Sequence, residues 1–467
     1  MKKGFVSERM FIAKQTIFFE RNRNPLMRKL SLNYTRSAKT LTSFSGLNIF
    51  SDLFHKFEFQ SLIQAYLPKK KRDSGWKSSE KLLCGIMGFV AGAQCLDDFD
   101  WLGNDPLFRE MTDAPSSVTI RKFLHLFSPR QIEQLRNTIP AQAMKQRLWL
   151  EPKLHKIVFR MDATTHEQFG DKMEGVEWNY KKIKGLSSQL LFDDKGFCYG
   201  FNLRAGAVHT SIGGIEMLEN AFNVVPKDVK KYLVADSGYA NLDMYNHLIT
   251  KKVNFAICLG EMAWGSLLKK YGNKITWKKT RLKFFDSQKC ELGSCLYPLK
   301  GLAEKRSHLK VVFIRAKKKK IESGDNHPYH YYAIVTDMSS AEMNDEHVVR
   351  FYRKRAVVEN NIKDLKQGMD FYHFPCRSLQ ANNVWGLMGI MAYNLMRTVS
   401  FTISKNGCFV DTVRRKVVLI AGEFIKSARY LEIRLMDYLL KEVERIKMIL
   451  CRLYFEVIKD RDGPLLR

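Results

Sequence analysis

The chain has 467 residues, 45% of them hydrophobic and 12% aromatic, which excludes a disordered polymer and a single small core and predicts two to four domains. Its 77 Lys and Arg against 48 Asp and Glu leave a formal charge of +29; nucleic acid would relieve that self-repulsion best, and an anionic membrane surface is the weaker candidate. The most apolar run, Val384 to Ala392, falls far short of the about 20 residues of a membrane span, and the basic N-terminus lacks the apolar segment of a secretory signal. Nine scattered cysteines without a CxxC pair read as reduced cytosolic thiols, and Cys290 and Cys295 have no partner pair at zinc-finger spacing.

In chain order, residues 1 to about 40 are basic and weakly periodic, the pattern of a flexible arm. From Leu41 to about Leu150 apolar residues recur at helical steps, as in Lys81 to Phe99. Asp113 to Thr119 reads as a turn whose capping residues open a helix near Val118, with Arg121 and Lys122 on it. A basic helical unit of this kind is either a DNA reader or a small bundle with a solvated basic face.

After Pro152 the texture changes. Lys156 to Asp162 reads as a strand; QLLFD, DKG and FCYGFNLR form a hairpin ending near Arg204; a helix, the strand Lys230 to Asp236, a second helix and the strand VNFAICL come next. The order β, hairpin, α, β, α, β predicts a mixed α/β sheet of about five strands over residues 151–260. Residues 261–338 are broken and basic, and read as a β-rich insertion that holds Trp264 and Trp277. Helical character returns over 339–405, and 406–467 read as helical, at least from Leu431 to Val457. Lys69 to Arg72 and Lys317 to Lys320 are each a DNA-backbone contact or a solvated loop.

The stretch FYRKRAVVENNIKDLKQG from Phe351 carries a candidate site. At about 100° per residue, Tyr352, Arg355, Glu359 and Lys366 fall within about 60° of arc on one helix. Phe351, Val358, Ile362 and Leu365 form the adjoining apolar stripe, Lys354, Asn360, Asn361 and Asp364 fall on the solvated side, and Gly368 ends the helix. Asp162 and Asp236 each close a strand, where α/β sheets place their ligands. If those strands are neighbours the two carboxylates converge and repel unless a cation intervenes. With Glu359 they make three carboxylates without His or Cys, which suits two divalent ions, Mg²⁺ or Mn²⁺, about 4 Å apart. Asp98, Asp100 and the hairpin-turn pair Asp193 and Asp194 are read as strand-end or turn residues.

These motifs carry a resemblance. RMDATT around Asp162, VADSGYAN around Asp236 and Tyr352-x2-Arg355-x3-Glu359-x6-Lys366 resemble the DDE transposases of bacterial insertion sequences, in the branch with the Tyr-Arg-Glu-Lys signature (the families numbered four and thirteen-eighty). LTSFSGL near Leu41, PSSVTIRKFL at Pro115, NLRAGAVHT and ANNVWGLMGIMAYNLMR extend the likeness over about residues 40 to 430. Ala163-Thr164 departs from the Gly-Ser or Gly-Thr pair many relatives carry, which alters loop geometry more than metal binding.

The resemblance implies an RNase H-like core with the β-rich insertion before the third acid, a helical N-terminal region (1–150) that binds transposon ends, and a C-terminal helical region (406–467) for dimerisation. It implies cut-and-paste transposition in the cytoplasm, on double-stranded DNA at end repeats and target, by a homodimer that pairs two ends. Asp162, Asp236 and Glu359 would hold the metals, Arg355 and Lys366 would grip phosphates, and Tyr352 would touch a phosphate or stack on DNA. Trp264 or Trp277 would stack on a flipped base. Ser237, Gly238, Arg204 and Asn361 would shape the pocket, with Asn394 a buried, satisfied amide. The alternatives are a nuclease of the same core without strand transfer and an inactive DNA-binding relative.

Overall fold

The segment Lys156–Glu167 alternates its side chains between two faces, with Ile157, Phe159 and Met161 on one and Val158 and Arg160 on the other. Both faces find cover, and both edges are paired, so the strand sits in the middle of a sheet. The computed structural model describes residues 35, 37–69, 75–170, 172–179, 181–284, 288–318 and 328–461. The chain divides into Met1–Ala38 and Lys39–Arg467, and every helix and strand named below belongs to the second unit.

Among the described residues the central sheet has ten strands. Its order is Glu177–Trp178, Lys184–Phe192, Lys156–Glu167, Lys230–Ala235, Asn254–Cys258, Tyr329–Thr336, His308–Lys317, Gln288–Pro298 and Lys278–Phe284, with Cys198–Ala205 pairing Lys184–Phe192 as well. Lys156–Glu167, Lys230–Ala235 and Asn254–Cys258 run parallel, and the other pairings are antiparallel. The protein is therefore mixed α/β; the element order read from residues 156 to 258 is observed with one strand more, Glu177–Trp178, ahead of the hairpin, and the sheet is larger than the expected five strands or so.

The strand opened by Lys156 does not stop at Asp162, as expected, but pairs with Gly185–Leu190 as far as Glu167. Residues 261–338 open with a helix, Glu261–Tyr271, and then carry four strands among the described residues, of which Tyr329–Thr336 pairs with Asn254–Cys258, so this segment shares the ladder of the preceding strands.

The helices Gly214–Val224 and Leu242–Thr250 cover one face, burying Leu218, Phe222, Leu248 and Ile249 against Phe159, Met161 and Leu233. On the other face Val234 and Ala256 meet Val312 and Ile334 and the helix Asp345–Arg353 through Val348, Val349 and Tyr352. The hairpin joins a third cluster, in which Phe201 and Leu203 share a core with helix Leu379–Ile403 and with Phe50, Phe89 and Phe99 of the N-terminal helices. Caps set those N-terminal helices: Ser116 opens Ser117–Leu124, beside the expected Val118, and Ser128 with Gln131 forms a capping box for Pro129–Leu150.

Two amides lock Leu379–Ile403 to the outer side of Cys198–Ala205. Asn394 accepts from the Cys198 N–H and donates to its carbonyl, both at 2.8 Å. Asn383 does the same with Leu203, at 3.2 and 3.0 Å. Eleven residues of helix and five of strand both span about 16 Å, so the two periodicities match at this spacing. The side chains satisfy an edge that no further strand covers among the described residues. Asp193, expected to be a plain turn residue, is fully buried and ion-paired to the buried Arg147 at 3.1 Å.

The C-terminal region is not all helical. Gly422–Lys426 and Leu431–Arg434 form a hairpin, and Gly422–Lys426 also pairs with Leu41–Thr42. Ser427 closes the hairpin turn by bonding the Tyr430 backbone, and Leu431–Arg434 is taken up as a strand; the terminal helix is Asp437–Arg461. No helix among the described residues is long and apolar enough to cross a membrane.

Candidate active site

Parallel pairing sets Met161 opposite Ala235, so Asp162 and Asp236 are the next residues along neighbouring strands. Lys230–Ala235 ends there, and Asp236 caps a short turn, accepting from the Gly238 N–H at 3.0 Å. A Cβ on Gly238 would sit 3.2 Å from that carboxylate and 3.2 Å from Thr210, so the turn is closed tightly around Asp236. Tyr239 anchors it, its hydroxyl accepting from the Gln189 amide at 3.2 Å. Asp162 accepts from the Ala163 N–H at 2.9 Å and is mostly buried.

Asp162 and Asp236 meet at Arg355, which is 3.0 Å from Asp162 and 3.7 Å from Asp236 through one nitrogen, and its other terminal nitrogen is 3.3 Å from Glu359. Three acids far apart in sequence thus gather around one guanidinium. Burial pushes the Asp162 carboxyl up to about 6; Arg355 opposes the shift, and Asp236 and Glu359 add to it. A group buried among like charges is under-neutralised by one arginine.

The expected single helix is broken. Tyr352 lies in Asp345–Arg353, Arg355 in a 3₁₀ turn over Lys354–Ala356, and Glu359 and Lys366 in Val357–Gly368. Arg355 and Lys366 still face one strand, for Lys366 donates to the Thr165 carbonyl at 2.7 Å, three residues beyond Asp162. Burial lowers the Lys366 amine to about 8.

Tyr352 is 4% exposed, and its hydroxyl bonds that of Tyr332 at 2.9 Å, a partner with no sequence signal to reveal it. Asn361 and Asp364, expected on the solvated side, are buried, because the helix is covered on a second side: the Val410 N–H donates to Asp364, and the turn at Gly196 approaches the Asn361 amide oxygen. Arg204 bonds the carbonyls of His209 and Ile212 and shapes the loop after its strand.

Trp264 and Trp277 are half-buried against Tyr331, at 5.6 and 6.1 Å between ring centroids, and Arg315 stacks on Trp277 at 3.8 Å. Lys69 and Lys317–Lys318 are described, but the rest of the two Lys-rich runs and nearly all of the N-terminal arm lie outside the described residues.

A family model, transposase DDE domain group 1, matches residues 24–451. The chain belongs to the DDE transposase family. No curated protein matches it. As a member of the family it is an enzyme that acts on DNA.

Members of this family use divalent metal ions, and the donor set fits them. All three groups are oxygen donors, two are linked by strand register, and the buried Asp162 lacks full charge compensation. Among the described residues no three acids, His or Cys stand close enough together to hold a metal as they are, and Arg355 is the cation that Asp162, Asp236 and Glu359 share.

Proposed function

We propose that this DDE transposase performs cut-and-paste transposition of an insertion sequence, with Asp162, Asp236 and Glu359 as its catalytic acids. What supports this most is the convergence of those three carboxylates on Arg355, together with strand register that makes Asp162 and Asp236 neighbours. The five strands that begin at Cys198, Lys184, Lys156, Lys230 and Asn254 lie side by side in that order. Their first two pairings are antiparallel and their last two parallel, which supports an RNase H-like core. The Tyr-Arg-Glu-Lys spacing supports the insertion-sequence branch that carries that signature.

In this reading water nicks the element end, the freed 3′-OH attacks the opposite strand to close a hairpin, water opens the hairpin, and the 3′-OH joins target DNA. Asp162, Asp236 and Glu359 would hold two divalent ions, Mg²⁺ or Mn²⁺, whose charge would acidify the attacking oxygen and stabilise the leaving one. Arg355 and Lys366 bind phosphate oxygens beside the cleaved bond. Tyr352, through its bond to Tyr332, positions the turn that carries Arg355. A base-stacking role for Trp264 or Trp277 requires freeing one ring from the Tyr331 cluster. Two copies pair the two ends, and the exposed Tyr438, Leu440 and Met448 of the terminal helix support a dimer contact there.

Lys366 gives this reading a pH signature. Its folded pKa, about 8, lies below the ordinary 10.5, so the charge is lost as pH rises through 8. Affinity for end DNA should fall over that range, and Lys366→Arg should flatten the profile in a fluorescence-anisotropy titration.

The deciding experiment incubates the purified protein with labelled end DNA and Mg²⁺. Hairpins and joined products are expected. Cleavage without joining would favour a nuclease, and binding without Mg²⁺-dependent cleavage would favour an inactive DNA-binding relative.

A further inference from the structure

We propose that Arg355 is the resident counter-cation of the acid triad when DNA is absent, and that divalent ions enter only as its guanidinium leaves. The proposal rests on the triad being the metal site. One side chain contacts all three acids, at 3.0, 3.7 and 3.3 Å. Such a cluster without a cation would be strongly self-repelling, so the arginine is what allows the acids to stay together. Arginine and metal use the same carboxylate oxygens and therefore compete.

Two features fit a side chain built to leave. Its Nε is buried without a hydrogen-bond partner, so the bound arrangement leaves one donor unsatisfied. It also sits in the 3₁₀ turn between two helices, where a small backbone rotation re-aims the side chain.

A groove of about 610 Å³ beside the turn is lined by His347, Arg350, Arg353 and Lys354, together with Glu342 and the apolar Leu282, Met343 and Phe351, and Arg350 is ion-paired to Glu346. A phosphate backbone laid along that groove would offer Arg355 an anion outside the triad. Removing the arginine from the acids would then favour metal entry, and metal entry would favour the arginine's transfer to phosphate, since coupling between two ligands is reciprocal. Premature metal loading is disfavoured until the substrate arrives.

The test is Mn²⁺ binding to the DNA-free full-length protein, read as loss of the free-ion electron paramagnetic resonance signal. Arg355→Ala should bind on the order of 10-fold more tightly than wild type, and Asp162→Asn in that background should remove the gain. Arg355→Gln should behave likewise if the alanine variant does not fold. Lys354→Ala removes a neighbouring charge that pairs with none of the acids, and should change affinity by less than about 2-fold. Unchanged affinity in both Arg355 variants, or an equal gain in Lys354→Ala, overturns the proposal and leaves the metal triad standing. If Asp162→Asn alters Mn²⁺ binding in neither background, the triad assignment fails along with it.

Discussion

Asp162→Asn should lower Mg²⁺-dependent cleavage of end DNA on the order of 10³-fold, the scale expected when several kcal/mol of charge stabilisation are removed from a metal-dependent phosphoryl site. Asparagine keeps the shape of the side chain and an oxygen that still accepts from the Ala163 N–H, so the strand and its register should survive. It removes one of the three charges around Arg355, and with it the acid that is most buried of the three. The stability effect should go the other way. The folded pKa of about 6 lies above the usual 3.8, so the folded state holds its proton longer than the unfolded one and stability falls as pH rises between those values. At pH 7.5 the variant should melt no lower than wild type by differential scanning fluorimetry. A variant that keeps a tenth of wild-type cleavage would remove Asp162 from the chemistry.

The second large effect concerns stability. Asn394→Leu should cost about 2–4 kcal/mol, measured as a lower urea midpoint with an unchanged slope. Leucine is of similar size and apolar, so it keeps the helix packed. It leaves the Cys198 N–H and carbonyl, both buried, without the partners they have at 2.8 Å. Each orphaned group costs about 1–3 kcal/mol, and added apolar burial offsets part of the sum. A loss below about 1 kcal/mol would mean that the edge of Cys198–Ala205 finds other partners.

The legible part of the fold was the part in which local pattern and tertiary role coincide. Alternating apolar residues ending in an acid revealed Lys156 to Asp162 and Lys230 to Asp236, and parallel pairing then put the two acids together. The extension of the first strand through Ala163, Thr164 and Thr165 was not legible, because its polar residues gain their pairing only from the hairpin beside them. The break at Lys354–Ala356 has no Gly or Pro to announce it. Tyr352 fitted a helical row by spacing, but its environment is set by Tyr332 from another strand, and one-dimensional spacing cannot supply that. Asn361 and Asp364 were misplaced for a related reason: an amphipathic pattern assumes one buried face, and Val357–Gly368 is buried on two. At the C-terminus, GEFIK and LEIR are short and mixed in polarity, and their strand character comes from pairing with each other and with Leu41–Thr42.

That last pairing bears on how the protein is made. Leu41–Thr42 joins Gly422–Lys426, with an accompanying Lys39–Glu423 bond that spans 384 positions of sequence. At a synthesis rate of about 5–20 residues per second, the N-terminal segment waits some tens of seconds on the ribosome for its closing strand. Truncated translation products that end before Gly422 would carry an unpaired edge and a nascent core missing its lid, a state prone to aggregation. An element that jumps between DNA sites would then gain little from partial copies of its own enzyme, because copies that lack Gly422–Lys426 leave that edge open.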